Sequence, residues 1–329
     1  MEDNYCPLAF HGIYVQRFAN GKHSTAPCCL AEKSAPTSNK IDFNNDPHLT
    51  KIRKEFIAGN RPKECQQCWI LEDLGGDSVR KFYISYYNIN GLLLDNTALL
   101  YNVDYNTLPL CNAKCIICGP QFSSTWADAV GKTSTIINII KNNYDHLDGL
   151  DLSTVKKIYF NGGEPLLTDE HVTVLQRITN LSEVDVVYNT NGSCYPSETA
   201  LDLWTKVNSV QIYFSIDGIG ERFEITRTPL KWSIVSENIE KINLLPNVKI
   251  GRTYTIGWHN VYDLEDTINW FEKLPKFDIE QFYVHYVNPG HYLSLNESST
   301  SEKQQFAIEL LKFKKFNKWY HSILNALNL

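Results

Sequence analysis

From about residue 99 onward, short runs of β-branched and aromatic residues alternate with longer stretches of helical periodicity. The short runs predict six strands, at 99–103, 157–160, 184–188, 210–214, 248–255 and 281–287. The stretches between and after them predict helices at about 122–143, 169–180, 197–206, 233–244, 262–273 and 302–325. Six strand–helix units in succession predict an α/β fold with a parallel sheet, either doubly wound or shaped as a partial barrel.

The first hundred residues lack this alternation of strand and helix patterns. Turn signals at 21–22 and 27–29 precede a single short helical pattern at 49–57. We therefore predict three parts, namely a small loop-rich domain at 1–98, the strand–helix core at 99–290 and a C-terminal helix at 291–329 that packs on the core. A capping box, Ser299-Thr-Ser-Glu302, predicts where that last helix begins.

Unusual residues follow four consecutive strands of the predicted core. They are Cys111-Asn-Ala-Lys-Cys115-Ile-Ile-Cys118, Asn161-Gly-Gly-Glu-Pro165, Asn189-Thr-Asn-Gly192 and Ser215-Ile-Asp-Gly218. Because the carboxyl ends of parallel strands meet at one edge, these loops predict a single large ligand site.

The cysteine triplet carries the most specific chemistry. One compact loop can aim three thiolates at a common centre, and soft thiolates select iron–sulfur clusters or zinc. A [4Fe–4S] cluster is normally held by four cysteines, so three local ligands leave one iron open to a further ligand. The alternative is a zinc site completed by a distant His or by Cys194.

Composition narrows the function classes. With 37 acidic and 31 basic residues the net charge is −6, which does not suit a protein that binds a phosphate backbone. No apolar run approaches the roughly 20 residues of a membrane-spanning helix, and no targeting segment is visible. We expect a cytoplasmic protein that binds neither nucleic acid nor membrane, and whose 9 cysteines stay reduced.

The order of the four loops resembles that of the radical S-adenosylmethionine (radical SAM) superfamily, over roughly residues 99–290. The resemblance implies a partial (β/α)6 TIM-like barrel. It further implies that Cys111, Cys115 and Cys118 hold three irons of a [4Fe–4S] cluster, whose fourth iron is chelated by S-adenosylmethionine (SAM). Ile117 departs slightly from the family, which often has an aromatic residue there.

The resemblance also implies a set of SAM contacts. Gly162 and Gly163 would let the backbone approach the methionine moiety, and Glu164 would balance its ammonium group. Arg227 matches an arginine that commonly meets the SAM carboxylate. The polar contacts to ribose or the methionyl end would come from Asn189, Asn191, Ser215 and Asp217.

The implied reaction is reductive cleavage of SAM to methionine and a 5′-deoxyadenosyl radical, which removes a hydrogen atom from a substrate. The electron would come from a donor such as flavodoxin or ferredoxin. The cofactors carry the difficult chemistry, while the protein orients the reactants and excludes water and oxygen.

The N-terminal cysteines resemble the auxiliary-cluster modules called twitch or SPASM domains. The resemblance implies a second [4Fe–4S] cluster on Cys6, Cys28, Cys65 and Cys68, with Cys29 as the alternative to Cys28. A structural zinc site is the other hypothesis, because a four-cysteine site with a C-x2-C half is also how zinc is held.

Three further residues lie near the predicted rim. Cys194 follows the Asn-Thr-Asn-Gly loop and could contact substrate or donate a hydrogen atom, although a small buried thiol is a common structural residue. His259 and His285 end the fifth and sixth strand patterns, where a lone His is more often part of the core.

These patterns lead to the hypothesis of a radical SAM oxidoreductase that modifies a peptide, as in the maturation of ribosomally made peptides. Tyr- and Asn-rich segments before and after the core suggested an extended binding edge. The alternatives are a radical SAM dehydrogenase of a sugar or small metabolite, and a non-catalytic protein that is zinc-stapled or uses its cluster as a sensor.

Overall fold

One mixed sheet organises the computed structural model, which describes residues 4–18, 22–73, 75–134, 147–287, 291–295, 299, 301–303 and 305. Its strands are β1 (Gly12–Arg17), β2 (His23–Ala26), β3 (Asn102–Asn106), β4 (Lys157–Asn161), β5 (Asp185–Thr190), β6 (Ser209–Ser215), β7 (Val248–Ile256) and β8 (Phe277–Tyr286). Their order is β2-β1-β3-β4-β5-β6-β7-β8. All neighbours are parallel except β1 and β2, which are antiparallel.

Helices connect these strands in the described part of the chain. They are α1 (Pro7–His11), α2 (Pro47–Ile57), α3 (Gln66–Asp73), α4 (Val79–Ile89), α5 (Ser124–Ala129), α6 (Glu170–Gln176), α7 (Glu198–Trp204), α8 (Gly220–Thr226), α9 (Trp232–Leu244) and α10 (Leu264–Phe271). None of these described helices is long and apolar enough to cross a membrane.

The predicted α/β class is confirmed, and all six predicted strands are present in the expected order. The first of them lies at 102–106 and not at 99–103. The strand alternates between polar and apolar residues, Asn-Val-Asp-Tyr-Asn, and so lacks the apolar run that marks a buried strand in the sequence. Most of the predicted helix at 302–325 and part of that at 122–143 lie outside the described residues. At the start of the former, Ser299 and Glu302 exchange the hydrogen bonds of a capping box.

Two strands were not predicted, and both lie before residue 98. Strand β1 pairs with β3, with Gly12 opposite Asn102, so the sheet continues across the predicted boundary between the first two parts. The division into domains stays a prediction, but no break in the sheet marks it.

The two faces of the sheet differ in chemistry. On one face Val103, Ile158, Val186 and Ile212 are at most 1% exposed and share one hydrophobic core with the helices that follow β4, β5 and β6. Strand residues alternate between faces, so their neighbours point the other way. This second surface, the polar face, carries Asn102, Asp104, Lys157, Tyr159, Asp185, Asn189, Gln211 and Tyr213.

Helix α4 lies against the polar face and ties the N-terminal segment to it. The Tyr86 hydroxyl donates to Asp185 Oδ2 at 2.6 Å. The Lys157 ammonium lies 4.3 Å from the centre of the Tyr86 ring, within cation–π range. Burial lowers the pKa of Lys157 to about 8. Through α4, the N-terminal segment thus packs onto the polar face of the sheet.

Candidate functional site

The cysteine loop, residues 111–118, follows β3, and its backbone is hydrogen-bonded to other segments of the chain. Lys114 N–H donates to Thr228 O at 2.7 Å, and the Trp126 indole donates to Cys115 O at 2.8 Å. Cys111 and Cys115 are 9% and 8% exposed, and Cys118 is half-buried. Burial raises the pKa of all three thiols, that of Cys111 to about 12. Neighbouring thiols of the triplet raise the pKa of Cys111 and of Cys115 further.

The three sulfurs are near neighbours, but they do not form a single-ion site. Among the described residues, no three His, Cys, Asp or Glu side chains are grouped so as to hold one metal ion. Two of the sulfurs accept N–H donors from other loops. Asn191 Nδ2 lies 3.8 Å from Cys111 Sγ, and Arg227 Nη1 lies 3.6 Å from Cys115 Sγ. These donors suit sulfur in its thiolate form.

Glu164 joins two of the predicted loops. Its Oε1 accepts from the Thr190 hydroxyl at 2.6 Å and its Oε2 accepts from Asn191 N–H at 2.7 Å. Burial raises its pKa, against the lowering effect of these hydrogen bonds. The carboxylate expected to face the SAM ammonium is therefore engaged by protein donors, and it fixes Asn191 beside Cys111.

The paired glycines before Glu164 are required by the cysteine loop. A Cβ on Gly163 would lie 2.3 Å from Leu110 O, and a Cβ on Gly162 would lie 2.7 Å from Thr107 O. Gly162 also has a φ of +117°, in the region that favours glycine. The space that a side chain would need at these two positions is filled by residues 106–110. The expected approach of the glycine backbone to the methionine moiety stays a prediction.

Asp217 and Arg227 form a buried ion pair beside the triplet. Arg227 Nη2 donates to Asp217 Oδ2 at 2.5 Å, and Thr255 N–H donates to Asp217 Oδ1 at 2.7 Å. Burial favours the neutral guanidinium, but the charge of Asp217 outweighs it and raises the pKa of Arg227. Arg227 Nε has no hydrogen-bond partner among the described residues. Arg227, the arginine predicted to bind the SAM carboxylate, thus donates from Nη2 to Asp217 and from Nη1 to Cys115, and its Nε is the donor without a partner in the described structure.

The other predicted SAM contacts lie at the ends of β5 and β6. Asn189 is half-buried on the polar face, and its Oδ1 has no hydrogen-bond partner in the described structure. Ser215 is half-buried and accepts from the Thr253 hydroxyl at 3.3 Å. Asn191 is 6% exposed and donates to Asn112 Oδ1 at 3.1 Å. The structure therefore brings the four predicted loops to one edge of the sheet.

Four N-terminal cysteines line a small, partly open cavity, here called the cysteine cavity. Its lining includes Cys6, Cys28, Cys65 and Cys68, together with Trp69 and Arg80. Burial raises the pKa of Cys6 to about 12 and that of Cys28 to about 11. The four cysteines of the predicted auxiliary centre thus line one cavity, although no three of them are grouped so as to hold a single metal ion.

Cys29 lies outside that group. It lines a second small, partly open cavity between α4 and the polar face, here called the polar-face cavity. There it interacts with Asp104, whose pKa burial raises to about 6. The lining also includes Asn102, Tyr83, Lys157 and Tyr159. The two cavities share Leu8, Pro27, Cys28 and Val79 as walls, so they are adjacent.

Three further candidate residues, Cys194, His259 and His285, make no hydrogen bond to the cysteine triplet among the described contacts. Cys194 is half-buried, packs against the main core, and lies 3.7 Å from the Ser193 hydroxyl. His259 is half-buried, and burial lowers its pKa to about 4, so it is neutral at pH 7. His285 lies exposed near the end of β8. None of these three is within hydrogen-bonding distance of Cys111, Cys115 or Cys118 among the described contacts.

Sequence reasoning missed two residues that complete the site. Asn112 Oδ1 accepts hydrogen bonds from Asn191 and Ser193, and so joins the cysteine loop to the loop after β5. Arg252 donates from Nε to Ile216 O at 3.1 Å, directly before Asp217. A charged residue inside an otherwise apolar strand pattern was the available signal for Arg252.

No protein-family model and no curated protein matches the sequence. Among solved structures, anSMEcpe with bound AdoMet is 16% identical with a TM-score of 0.44, over 68% of this chain and 61% of that chain. The structure of anSMEcpe with bound AdoMet and Kp18Cys peptide is 15% identical with a TM-score of 0.44, over 69% and 62%. Streptococcus suis SuiB bound to S-adenosylmethionine is 12% identical with a TM-score of 0.40, over 93% and 68%. The aligned region spans about three fifths of the anSMEcpe chain.

Proposed function

We propose that this chain is a radical SAM enzyme that binds a [4Fe–4S] cluster at Cys111, Cys115 and Cys118. The observation that carries the proposal is the meeting of the triplet with Asn191 and Arg227 at the carboxyl edge of a parallel sheet. Three soft ligands in one loop suit an iron–sulfur cluster with one open iron.

The donor set around the triplet fits a cluster with SAM. When bound, the cluster supplies the electron that cleaves the carbon–sulfur bond of SAM. Asn191 and Arg227 would hold Cys111 and Cys115 through N–H donors to sulfur. The unpartnered Arg227 Nε and Asn189 Oδ1 would meet the polar ends of SAM, a donor for the carboxylate and an acceptor for an ammonium or hydroxyl group.

The proposal includes a second cluster in the cysteine cavity, with Cys6, Cys28, Cys65 and Cys68 as ligands. Its support is that all four line one cavity, whereas Cys29 lines the neighbouring one and interacts with Asp104. Formation of the site requires release of the thiol protons, because the ligand is the thiolate. Zinc at these four cysteines is the competing assignment.

The substrate would reach the polar-face cavity, which lies beside the cysteine cavity and on the face that carries Asn189. Hydrogen-bonding groups line it, and Asn102 Oδ1, which is buried, has no partner in the described residues. Burial raises the pKa of both Tyr83 and Tyr159, and the charge of nearby Asp104 raises it further. A lining with both donors and acceptors suits a peptide unit or a hydroxylated metabolite, and we favour a peptide.

Anaerobic reconstitution tests the enzyme assignment. Wild-type protein reduced with dithionite is expected to convert SAM to 5′-deoxyadenosine, and a triple Cys111→Ala, Cys115→Ala, Cys118→Ala variant is expected to produce none. Peptide-dependent stimulation of 5′-deoxyadenosine formation would support the peptide hypothesis, and stimulation only by sugars or small metabolites would contradict it.

The outcomes also separate the competing functions. Zinc without iron in anaerobically purified protein would exclude a radical enzyme and favour a zinc-stapled binding protein. Iron that never supports SAM cleavage in reduced protein would favour a cluster that acts as a sensor.

A further inference from the structure

Arg252 is a buried charge that has no carboxylate partner among the described residues. Its side chain is 0% exposed, and the guanidinium carbon lies 4.3 Å from the Phe282 ring centre and 4.5 Å from that of Tyr254. Its Nη1 has no hydrogen-bond partner in the described structure. Burial lowers its pKa to about 9. Burying an arginine in this way costs stability, so a purely packing role would be met better by an apolar side chain.

The hydrogen bonds of Arg252 converge on one atom. Nε and Nη2 both donate to Ile216 O, in the peptide that connects Ile216 to Asp217. Ile216 is buried, so its carbonyl needs a donor from within the protein. Strand β7 delivers the arginine from a position of irregular register, because the pairing with β8 shifts between Ile250 and Arg252. Such irregularities in a sheet often re-aim a side chain.

A continuous set of contacts leads from this carbonyl to the cysteine triplet. Asp217 follows Ile216 and is held at Oδ1 by Thr255 N–H, at 2.7 Å. Its Oδ2 binds Arg227, and Arg227 Nη1 lies 3.6 Å from Cys115 Sγ. The orientation of the peptide at 216–217 therefore determines where the guanidinium of Arg227 lies relative to the sulfur.

We propose that Arg252 is a positioning residue that fixes the peptide between Ile216 and Asp217, so that Asp217 holds Arg227 against the Cys115 sulfur. In its consequences for SAM the inference rests on the function proposed above. The placement of Asp217 can be measured without any cofactor.

The test uses Arg252→Met, which keeps the length and apolar packing but removes the donors, and Arg252→Lys, which retains a cationic donor. Arg53→Met is the matched control. Arg53 is also buried, and it donates to three carbonyls, Ala9 O at 3.0 Å, Phe43 O at 2.9 Å and Asn44 O at 3.4 Å. Its guanidinium carbon lies 4.5 Å from the Phe43 ring centre. Its contacts are with the N-terminal segment and not with the loop at Asp217.

Hydrogen exchange of the Thr255 amide in metal-free protein reports whether Asp217 still accepts its bond. We expect Arg252→Met to speed exchange at Thr255 at least about tenfold, Arg252→Lys to restore part of the protection, and Arg53→Met to leave it unchanged. In reconstituted protein we expect Arg252→Met to raise the Kd for SAM about tenfold, with full iron content.

Unchanged exchange at Thr255 in Arg252→Met would overturn the inference. So would an equal acceleration across the whole sheet, since that indicates a general loss of stability and not a local displacement. If wild-type reconstituted protein binds no SAM, the proposed function fails, and the exchange measurement in the metal-free protein still decides whether Arg252 positions Asp217.

Discussion

Arg227 donates to Asp217 at 2.5 Å in a site where both side chains are almost fully buried. The pair stands between the strand-end loop after β6 and the cysteine triplet, and it sets the charge around Cys115. Substitutions of Arg227 and Asp217 can measure how much the ion pair contributes to the free energy of unfolding.

Breaking the pair should cost stability. Arg227→Met leaves the Asp217 carboxylate buried without a counter-charge, so we expect the free energy of unfolding to fall by about 3 kcal/mol. The double variant Arg227→Met, Asp217→Leu removes both charges and should recover most of that loss. Urea unfolding of the metal-free proteins measures both. An additive double variant would contradict the expected coupling between the two residues.

Iron content should report two separate centres. Reconstituted wild-type chain is expected to carry about eight irons, and the variant that lacks Cys111, Cys115 and Cys118 about four. Cys194→Ala is the control and should retain about eight irons, because Cys194 is assigned to neither centre. Four irons in wild type would leave one of the two cysteine groups without a cluster.

The choice between Cys28 and Cys29 is directly testable. Cys28 lines the cysteine cavity with Cys6, Cys65 and Cys68, whereas Cys29 interacts with Asp104. Cys28→Ser should therefore lower the iron content by about four per chain, and Cys29→Ser should leave it unchanged. The reverse result would reassign the ligand.

Adding a methyl group at Gly163 should disturb the cysteine loop. Its Cβ would lie 2.3 Å from a backbone carbonyl that cannot rotate away, so we expect Gly163→Ala to lower the free energy of unfolding by about 3 kcal/mol. Gly91→Ala is the matched control. Gly91 has a φ of +62° but nothing within 4 Å of its Cβ position, so only about 1 kcal/mol of backbone strain is expected. Denaturant unfolding of the two variants gives the comparison, and equal losses would show that the contact with Leu110 is unimportant.

Stability should fall as the solution is made acidic, in part through His171. This side chain is 2% exposed and hydrogen-bonded to the Tyr188 hydroxyl at 2.9 Å, and burial lowers its pKa from 6.5 to about 4. Between those two values the unfolded chain binds the proton and the folded chain does not. The free energy of unfolding should therefore fall with decreasing pH, by up to ~1.4 kcal/mol per pH unit from this residue. His171→Asn should flatten the dependence between pH 6.5 and 4. An unchanged slope would mean that other groups account for it.

The strand–helix core was predictable because its short β-rich runs alternate regularly with helical stretches. The meeting of the four loops followed from the rule that carboxyl ends of parallel strands share an edge. The contacts that each side chain makes within these loops were harder to predict. Glu164 has the residue type that a ligand contact needs, but its oxygens are occupied by Thr190 and Asn191, and only coordinates reveal that.

Strands β1 and β2 escaped prediction because the turn signals at 21–22 and 27–29, which separate and follow them, favour a loop-rich segment. Residues 102–106 alternate between polar and apolar, and the polar Asn102 donates to the Tyr87 hydroxyl of α4, a helix that was not predicted. Tertiary packing therefore decided the secondary structure where local pattern was weak.

The pairing of β1 with β3 has a consequence for how the chain acquires its structure. Residue 12 lies opposite residue 102, so during synthesis the first strand finds its parallel neighbour only after some ninety further residues have left the ribosome. Pairings so distant in sequence form slowly. The edge of β1 that pairs with β3 therefore stays without its partner until residue 102 has been made, although β2, the other neighbour of β1, has been available since residue 26.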